Sequence, residues 1–306
     1  MPRIHTHPSA PLLLLFLFLL VSSMTGCAPS PAVNEAQAVQ PTRLPSTRQP
    51  AETAYLPRLP SPTATPASTQ SPDLLSTAPA QLLVEGDEVS VPILLYHHIS
   101  DAQPKNRYYI SPTVFREHMQ ALHNAGWTAI TTAILADMLR GAAPLPEKAV
   151  VITFDDGAQD VYENAFPIMQ EMGYPGVFFL VSSALGSEGY VSANQAKEMT
   201  AAGWEIGSHS MTHADLTKEG VSLYQEMYYS AVQLETALDF PIKSFAYPFA
   251  AGSENVYRFV PAYGYTNASC AGWNNRQSAR NIFCLSRREV RPGLSAADLL
   301  KLVAEP

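Results

Sequence analysis

Two adjacent carboxylates, Asp155 and Asp156, stand in the string T-F-D-D-G at residues 153–157. Neighbouring residues of a strand point to opposite sides, so the two acids are suited to different tasks. One carboxylate can bind a metal ion while the other takes a proton from water. An aspartate before a helix is also a common N-cap, and the pair alone does not separate these interpretations.

Two histidines four residues apart, His209 and His213, lie in the string G-S-H-S-M-T-H at residues 207–213. Imidazoles at this spacing can converge on one ion when the chain is helical or tightly turned. Together with Asp156 they would supply three protein ligands and leave positions open for water and substrate, as catalytic zinc sites do. The isolated histidine pair is a weak signal, so its weight depends on the elements that position it.

Short apolar runs alternate with helical patterns from residue 91 onward. The runs predict strands over residues 91–96, 127–130, 149–154, 176–181, 204–206, 244–247, 265–268 and 288–290. The helical patterns predict helices over residues 112–125 with Ser111 as N-cap, 131–140, 160–172, 192–202 and 218–238. Strands that are apolar on both faces and alternate with helices favour an α/β fold with a parallel sheet, and this many units favours a closed or nearly closed barrel.

A barrel of this kind gathers its catalytic groups at the C-terminal ends of its strands. The aspartate pair follows the predicted strand at 149–154, and the histidine pair follows the one at 204–206. Both pairs should therefore lie at the same face of the barrel, which supports a single metal site.

These motifs, in this order, resemble those of the NodB-type polysaccharide deacetylases of carbohydrate esterase family 4, over about residues 91–303. The resemblance implies a distorted (β/α) barrel of seven or eight strands. It implies that Asp155 is the general base and that Asp156, His209 and His213 bind a divalent metal, usually zinc. It also implies an N-acetylated polysaccharide as the substrate.

One family motif departs from its usual form. The family string R-x-P-[YF] corresponds to A-Y-P-F at residues 246–249, so Ala246 stands where the family has an arginine that orients the base. The absence of that arginine leaves the positioning of Asp155 unexplained. The resemblance assigns the backbone N–H of Phe249 to the oxyanion, a role that does not depend on its side chain. The side chains of residues 247–249 are expected to pack in the barrel.

The family's C-terminal histidine, which supplies the general acid, is also missing, because no histidine follows His213. The string L-Y-H-H-I at residues 95–99 resembles the N-terminal motif of deacetylases that act on poly-N-acetylglucosamine, where an early histidine does the work of the acid. The resemblance therefore makes His97 the candidate acid. The other nearby histidines are expected to be surface or packing residues: His98, His118 and His123.

The sequence thus predicts a metal-dependent hydrolase that removes N-acetyl groups from a cell-envelope or extracellular polysaccharide similar to poly-N-acetylglucosamine. Peptidoglycan, chitin and xylan remain alternative substrates, since each presents an acyl carbonyl to the same metal. A non-catalytic carbohydrate-binding protein is the alternative from another class; the missing arginine and the missing C-terminal histidine favour it, and the intact Asp155 opposes it. Tyr190 and Trp273 could stack on sugar rings, although a lone aromatic is more often packed in a core.

The first 90 residues differ in kind from the rest. Arg3 precedes an apolar run at residues 11–21 that is too short to span a bilayer and is typical of a secretory signal. The string M-T-G-C at residues 24–27 resembles a bacterial lipobox with Cys27 as the acylated residue, and an ordinary signal peptide is the alternative. Residues 28–90 are rich in Pro, Ser and Thr and cannot build a core, so they predict a disordered linker before a deacetylase domain at 91–306.

These features predict an exported protein, lipid-anchored through Cys27 to the bacterial membrane or cell surface. A formal net charge of −8 gives no basic surface for nucleic acid, which is excluded as a partner. Cys270 and Cys284 would meet an oxidising compartment, and they could form a disulfide or remain two thiols.

Overall fold

The computed structural model describes residues 87–305. The predicted signal peptide at 1–27, the acylation site Cys27 and all but the last few residues of the linker at 28–90 lie outside the described residues. Within the described range, no helix combines the length and the apolar character needed to cross a bilayer.

Twelve strands occur in the described residues. They are β1 (Glu88–Ser90), β2 (Ile93–Tyr96), β3 (His98–Ile99), β4 (Tyr109–Ile110), β5 (Thr128–Ile130), β6 (Ala149–Phe154), β7 (Val177–Leu180), β8 (Glu205–Ser208), β9 (Ser244–Ala246), β10 (Asn267–Ser269), β11 (Arg276–Ser278) and β12 (Arg288–Glu289). Eight of them form one parallel sheet in the order β10-β9-β8-β7-β6-β2-β12, with β5 also paired to β6. The remaining four make two small pairs, β1 with β11 and β3 with β4.

Helices cover the sheet. They are α1 (Pro112–Asn124), α2 (Thr132–Leu139), α3 (Phe166–Gln170), α4 (Ala193–Ala201), α5 (Ser230–Leu238), α6 (Glu254–Tyr257), α7 (Phe259–Ala262) and α8 (Ala296–Ala304). Two of them are preceded by wider, π-helical turns, at Val161–Ala165 before α3 and at Tyr224–Tyr229 before α5. The helices α1, α2 and α4 each have an N-cap, at Ser111, Thr131 and Ser192 respectively. The side-chain oxygen of each cap accepts a hydrogen bond from the backbone N–H of the residue three positions later.

One extended segment joins the two ends of the sheet. Leu285 pairs with Ser269, the last residue of β10, while β12, immediately after it, pairs with β2. The backbone N–H of Val290 continues this contact by donating to the carbonyl of Leu95 at 2.9 Å. The sheet is therefore closed into a distorted (β/α) barrel, as predicted.

Alternate residues of the strands fall in two separate apolar clusters, as the two faces of a strand require. Leu94, Tyr96 and Phe154 belong to the larger cluster, which includes the buried faces of α1, α3 and α5. Ile93 and Val151 belong to a smaller cluster that includes Val177 and Phe179 of β7. The smaller cluster, which also includes apolar residues of α2, fills the barrel, and the larger one packs the other helices against its outside.

The predicted strands agree with the observed ones within two residues at each end. The long helix predicted over residues 218–238 is shorter at its start, because residues 218–222 are not helical and the helix begins at Leu223. Seven of these elements were not predicted: the strands β1, β3, β4 and β11, the short helices α6 and α7, and the C-terminal helix α8.

Candidate active site

A buried ion pair holds the carboxylate that the sequence marks as the base. Asp155 follows β6 and is only 3% exposed, and Arg287, just before β12, is 1% exposed. Two guanidinium nitrogens of Arg287 donate to the two carboxylate oxygens at 2.7 and 2.8 Å. A third nitrogen, Nε, donates to the carbonyl of Cys270 at 2.9 Å. This two-point contact fixes the plane of the carboxylate, so Asp155 has one orientation.

Arg287 resolves the question left open by Ala246. The arginine missing from the A-Y-P-F motif is replaced by one that reaches the same carboxylate from the segment that closes the barrel. Arg287 is not predicted from the sequence, because its partner lies 132 positions away along the chain. An arginine at the edge of a short predicted strand was the available signal, and it does not identify a partner.

The charge of Asp155 depends on this pair. Burial on its own raises the pKa of the carboxyl, but the positive charges of Arg287 and His209 outweigh burial and hold the pKa of Asp155 below its usual value. Asp155 is therefore ionised at neutral pH, as a group that accepts a proton must be.

Asp156, His209 and His213 come together as one cluster. Oδ1 of Asp156 lies 3.4 Å from Nε2 of His209 and 3.3 Å from Nε2 of His213. The three ligand atoms all lie within 4.8 Å of one another. The spacing of the sequence motifs thus predicts the set of residues that meet.

The donor set fits a divalent metal ion. Ligands about 2.0–2.1 Å from a tetrahedral zinc lie about 3.4 Å apart, and the two separations at Asp156 match that edge. Oδ1 of Asp156 is buried without a hydrogen bond of good geometry, although it faces two ring nitrogens. One carboxylate and two imidazoles are a set that zinc accepts, and they leave a coordination position open.

Neighbouring groups aim the ligands. Nδ1 of His209 donates to the carbonyl of Ala246 at 2.8 Å, so the proton of the neutral ring sits on Nδ1 and the lone pair of Nε2 points to the cluster. Burial lowers the pKa of His209, but the carboxylates of Asp155 and Asp156 together raise it by more than burial lowers it. The pKa of His209 is therefore above its usual value. Those same carboxylates favour a metal cation in place of the proton.

The turn that carries His213 is held by a buried acid. Oε2 of Glu226, in the π-helical turn before α5, accepts from the backbone N–H groups of Met211 and Thr212 at 3.1 and 2.9 Å. Its Oε1 accepts from the Thr212 hydroxyl at 2.7 Å. His213 itself has a φ of 60°, in the left-handed region, so the turn presents its ring at the expense of backbone strain.

The two remaining predicted catalytic residues lie in the same pocket as this cluster. His97 and Phe249 line a cavity of about 250 Å³ together with Asp155, Asp156, His209 and His213. Burial lowers the pKa of His97, against the opposing effect of the two carboxylates. The side chain of Phe249 was expected to pack in the barrel, and this expectation is wrong. The side chain is 68% exposed, and its ring centroid lies 4.6 Å from that of His213. The roles of His97 and Phe249 stay predictions.

The other histidines differ from one another. His118 is fully buried: its Nδ1 accepts from the Tyr96 hydroxyl at 3.1 Å, and its Nε2 donates to the carbonyl of Leu294 at 2.9 Å. His123 is exposed and its ring contacts that of Tyr174. His98 is half-buried and bonded to Asp160, a contact that the sequence did not predict.

The two cysteines form a disulfide, Cys270–Cys284, with a Cα–Cα distance of 5.0 Å. This bond resolves the two possibilities that the sequence left open. It ties the end of β10 to the segment that leads to Arg287, whose Nε donates to the Cys270 carbonyl.

Comparisons with known proteins agree with the geometry. The family described as Polysaccharide deacetylase matches residues 142–268. YxkH of Bacillus subtilis (strain 168), whose name places it in the same family, is 28% identical over 210 residues, which are 68% of this chain and 74% of YxkH. A poly-beta-1,6-N-acetyl-D-glucosamine N-deacetylase of Staphylococcus aureus (strain MRSA252) is 27% identical over 136 residues, 42% of this chain but only 46% of that protein.

Among solved structures, the Streptococcus pyogenes deacetylase PplD in complex with acetate superposes with a TM-score of 0.66. It is 25% identical, and the match covers 72% of this chain and 100% of PplD. The family match over residues 142–268, the shared barrel and the converging carboxylate and histidine ligands agree with one another and with the resemblance of the sequence motifs to the NodB-type polysaccharide deacetylases.

Proposed function

We propose that this protein is a metal-dependent hydrolase that removes N-acetyl groups from a polysaccharide of the poly-β-1,6-N-acetylglucosamine type. The observation that carries the proposal is the buried, ionised Asp155, held by Arg287 beside the cluster of Asp156, His209 and His213. The name of the Staphylococcus aureus relative supports this choice of polymer.

Each residue has a separate task in the proposed reaction. Asp155 accepts a proton from the attacking water, and its fixed carboxylate plane sets the direction of that transfer. The Phe249 N–H donates to the oxygen that becomes negative, and His97 gives a proton to the departing amine. A divalent ion held by Asp156, His209 and His213, which we propose is zinc, would polarise the carbonyl and acidify the water. The products are acetate and a free amine.

A non-catalytic carbohydrate-binding protein is the competing function. The missing family arginine and the missing C-terminal histidine were its support, and Arg287 supplies the contact to Asp155 that Ala246 cannot make. A binding site has no use for a buried carboxylate kept ionised by an arginine, since burying such a pair is energetically costly. The geometry therefore favours the enzyme.

Acetate release from defined oligosaccharides tests the proposed activity. The full chain, supplied in turn with zinc, cobalt, nickel and manganese, should release acetate from β-1,6-linked N-acetylglucosamine oligomers faster than from chitin, peptidoglycan or acetylated xylan fragments. Asp155→Asn should lower turnover by about a hundredfold or more. The exposed Asp137→Asn is the matched control. No acetate from any substrate with any of these metals would contradict the enzyme, and a preference for another polymer would contradict the choice of substrate.

Metal content tests the proposed ligands independently of turnover. His213→Ala should lose bound zinc on dialysis, because two ligands hold the ion far less tightly than three. His123→Ala, a histidine replaced on the exposed surface, should keep its zinc. Stoichiometric zinc in the His213 variant would show that the ion sits elsewhere.

We propose further that the protein is exported and anchored by a lipid on Cys27. The apolar run at residues 11–21 and the string M-T-G-C at 24–27 support this proposal. Cells grown with a labelled fatty acid should label the wild-type chain and leave Cys27→Ser unlabelled and released from the membrane fraction. A labelled Cys27→Ser chain, or an unlabelled wild type, would contradict the anchor.

A further inference from the structure

A second cleft adjoins the catalytic pocket. It has a volume of about 490 Å³, in the range of ligand sites, and shares Asp156 and His213 with the pocket described above. Its far wall includes His98 and Tyr190, neither of which takes part in the proposed reaction. We call it the His98 cleft. A ligand longer than one sugar unit, with its reacting group at the metal cluster, could extend directly into this space.

His98 is held in a fixed orientation at the wall of this cleft. Its Nδ1 lies 2.8 Å from Oδ2 of Asp160, and the other oxygen of Asp160 accepts from the backbone N–H of Ile99 at 3.1 Å. The imidazole also stacks on the Tyr109 ring, at 4.1 Å between centroids and 10° between planes. One nitrogen and one face are thus occupied, and the other nitrogen, Nε2, has no hydrogen-bond partner within residues 87–305.

The partner of Nδ1 decides what Nε2 can bind. An ionised carboxylate only accepts hydrogen bonds, so Nδ1 must carry the proton that Asp160 accepts. In the neutral ring Nε2 is then an acceptor alone. The neutral ring can accept from a group with an O–H or N–H, such as a free sugar hydroxyl, whereas an acetylated hydroxyl has no hydrogen to donate.

Tyr190 supplies a flat surface in the same cleft. Its side chain is 39% exposed, contrary to the core packing expected of a lone aromatic. Its backbone is fixed by an antiparallel bridge to Ala158, and the neighbouring Gly189 carbonyl accepts from the Gln159 N–H at 2.9 Å. The segment that follows the metal ligand Asp156 therefore positions both the ring of Tyr190 and the carboxylate of Asp160.

We propose that the His98 cleft is a sugar subsite for the saccharide unit next to the one that is deacetylated. Nε2 of His98 accepts a hydrogen bond from a free hydroxyl of that unit, and the ring of Tyr190 packs against its apolar face. The inference rests on the proposed function for the position of the reacting unit. It adds that the protein recognises at least two consecutive sugars and prefers a polymer whose hydroxyls are unsubstituted.

Equilibrium binding tests the subsite without relying on turnover. The full chain carrying Asp155→Asn, loaded with zinc, is titrated by calorimetry with the monomer and the tetramer of β-1,6-linked N-acetylglucosamine. Adding His98→Ala should weaken tetramer binding by about tenfold, the scale of one good hydrogen bond. Tyr190→Ala should weaken it by roughly threefold to tenfold. The monomer, held at the catalytic pocket, should show a much smaller loss in both.

Asp160→Asn tests the direction of the hydrogen bond that Nε2 of His98 makes. The asparagine amide donates to Nδ1 and moves the ring proton to Nε2, so His98 turns from an acceptor into a donor while its ring stays in place. A free hydroxyl can accept from Nε2–H as well as donate to Nε2, so tetramer binding should fall less than in His98→Ala. His123→Ala, on the exposed surface, is the control and should bind as the parent protein does. Full tetramer affinity in both the His98 and the Tyr190 variant, or an equal loss for the monomer, would overturn the subsite.

The outcomes separate the subsite from the activity. A protein that binds the tetramer through His98 but releases no acetate from it leaves the subsite in place and contradicts the proposed function. Acetate release without any dependence of tetramer binding on His98 contradicts the subsite alone. A parent protein that does not bind the tetramer overturns the subsite as well.

Discussion

At the scale of single residues, burial and charge together decide the state of Asp155. A carboxyl this deeply buried and alone would keep its proton, because an isolated charge in a low dielectric is unfavourable. Arg287 reverses that preference with two short hydrogen bonds in one plane. The same contact therefore keeps the proposed base ionised and fixes its orientation.

Removing one partner of this pair should affect stability and activity together. Arg287→Ala should lower the free energy of unfolding by about 3–5 kcal/mol, because it leaves a buried charge unpaired. Arg287→Lys should keep the charge but lose the two-point contact. It should therefore lower kcat strongly and the free energy of unfolding only slightly. Urea unfolding and steady-state kinetics measure the two effects. A lysine variant with normal kcat would show that the plane of the carboxylate is not important.

The loss of activity on replacing His97 should be larger for a more basic leaving group. If His97 gives a proton to the amine, His97→Gln should lose most activity on an acetamide and far less on an aryl acetate ester, whose phenolate departs without a proton. Zinc content should stay that of the wild type. Rates on both substrates, compared at the same zinc occupancy, measure this difference. Equal losses would point to a positioning role instead.

At the scale of elements, the barrel brings together residues that the chain separates, and short turns set their angles. The turn between β8 and the helix of α5 carries His213, and Glu226 accepts three hydrogen bonds from it. A carboxylate in a π-helical turn thus acts on a metal ligand through the backbone between them. Groups in this outer position tune metal sites strongly.

Loosening this turn should weaken metal binding without removing a ligand. Glu226→Ala should raise the zinc dissociation constant by about tenfold to a hundredfold, as for other residues that orient ligands. The exposed Glu219, in the same loop, provides the control variant Glu219→Ala, which should bind zinc as the wild type does. Competition with a fluorescent chelator measures both constants. An unchanged constant in the Glu226 variant would mean that the turn holds its shape alone.

His118 links α1, β2 and the loop before α8, and it gives the fold a defined pH dependence. Burial lowers its pKa in the folded protein, so the unfolded chain takes up a proton near pH 6.5 before the folded one does. Stability from this residue is therefore complete above about pH 6.5 and is lost as the pH falls through the lower, folded value. Unfolding free energies measured from pH 8 to 5 should fall less steeply in His118→Gln than in the wild type. Parallel curves would exclude the effect.

The strands and the metal cluster could be predicted, and the reasons are local. Runs such as residues 149–154 are apolar on both faces, and the motifs that follow them fix where Asp156, His209 and His213 meet. Arg287 and Glu226 could not be found in this way, because each acts through a contact between distant or separately folded segments. The exposed rings of Tyr190 and Phe249 were also missed, since composition does not distinguish a packed ring from one that faces solvent.

At the scale of the whole molecule, the disulfide and the barrel closure stabilise the same region. Reducing Cys270–Cys284, or replacing both residues by serine, should lower the free energy of unfolding by about 2–4 kcal/mol, the usual effect of opening a short loop. Urea unfolding of the wild type with and without a reductant measures this change. The double serine variant should be insensitive to reductant, and a wild type that is equally insensitive would contradict a stabilising bond.

The closure of the barrel by residues 285–290 also orders events during synthesis. Asp155, Asp156, His209 and His213 all leave the ribosome before Arg287, so a nascent chain that carries every metal ligand still lacks the partner that keeps its base ionised. Until Arg287 reaches Asp155, the carboxylate lacks the two hydrogen bonds that hold it in one plane. The residue that orients Asp155 therefore joins the site last, after every proposed metal ligand has been synthesised.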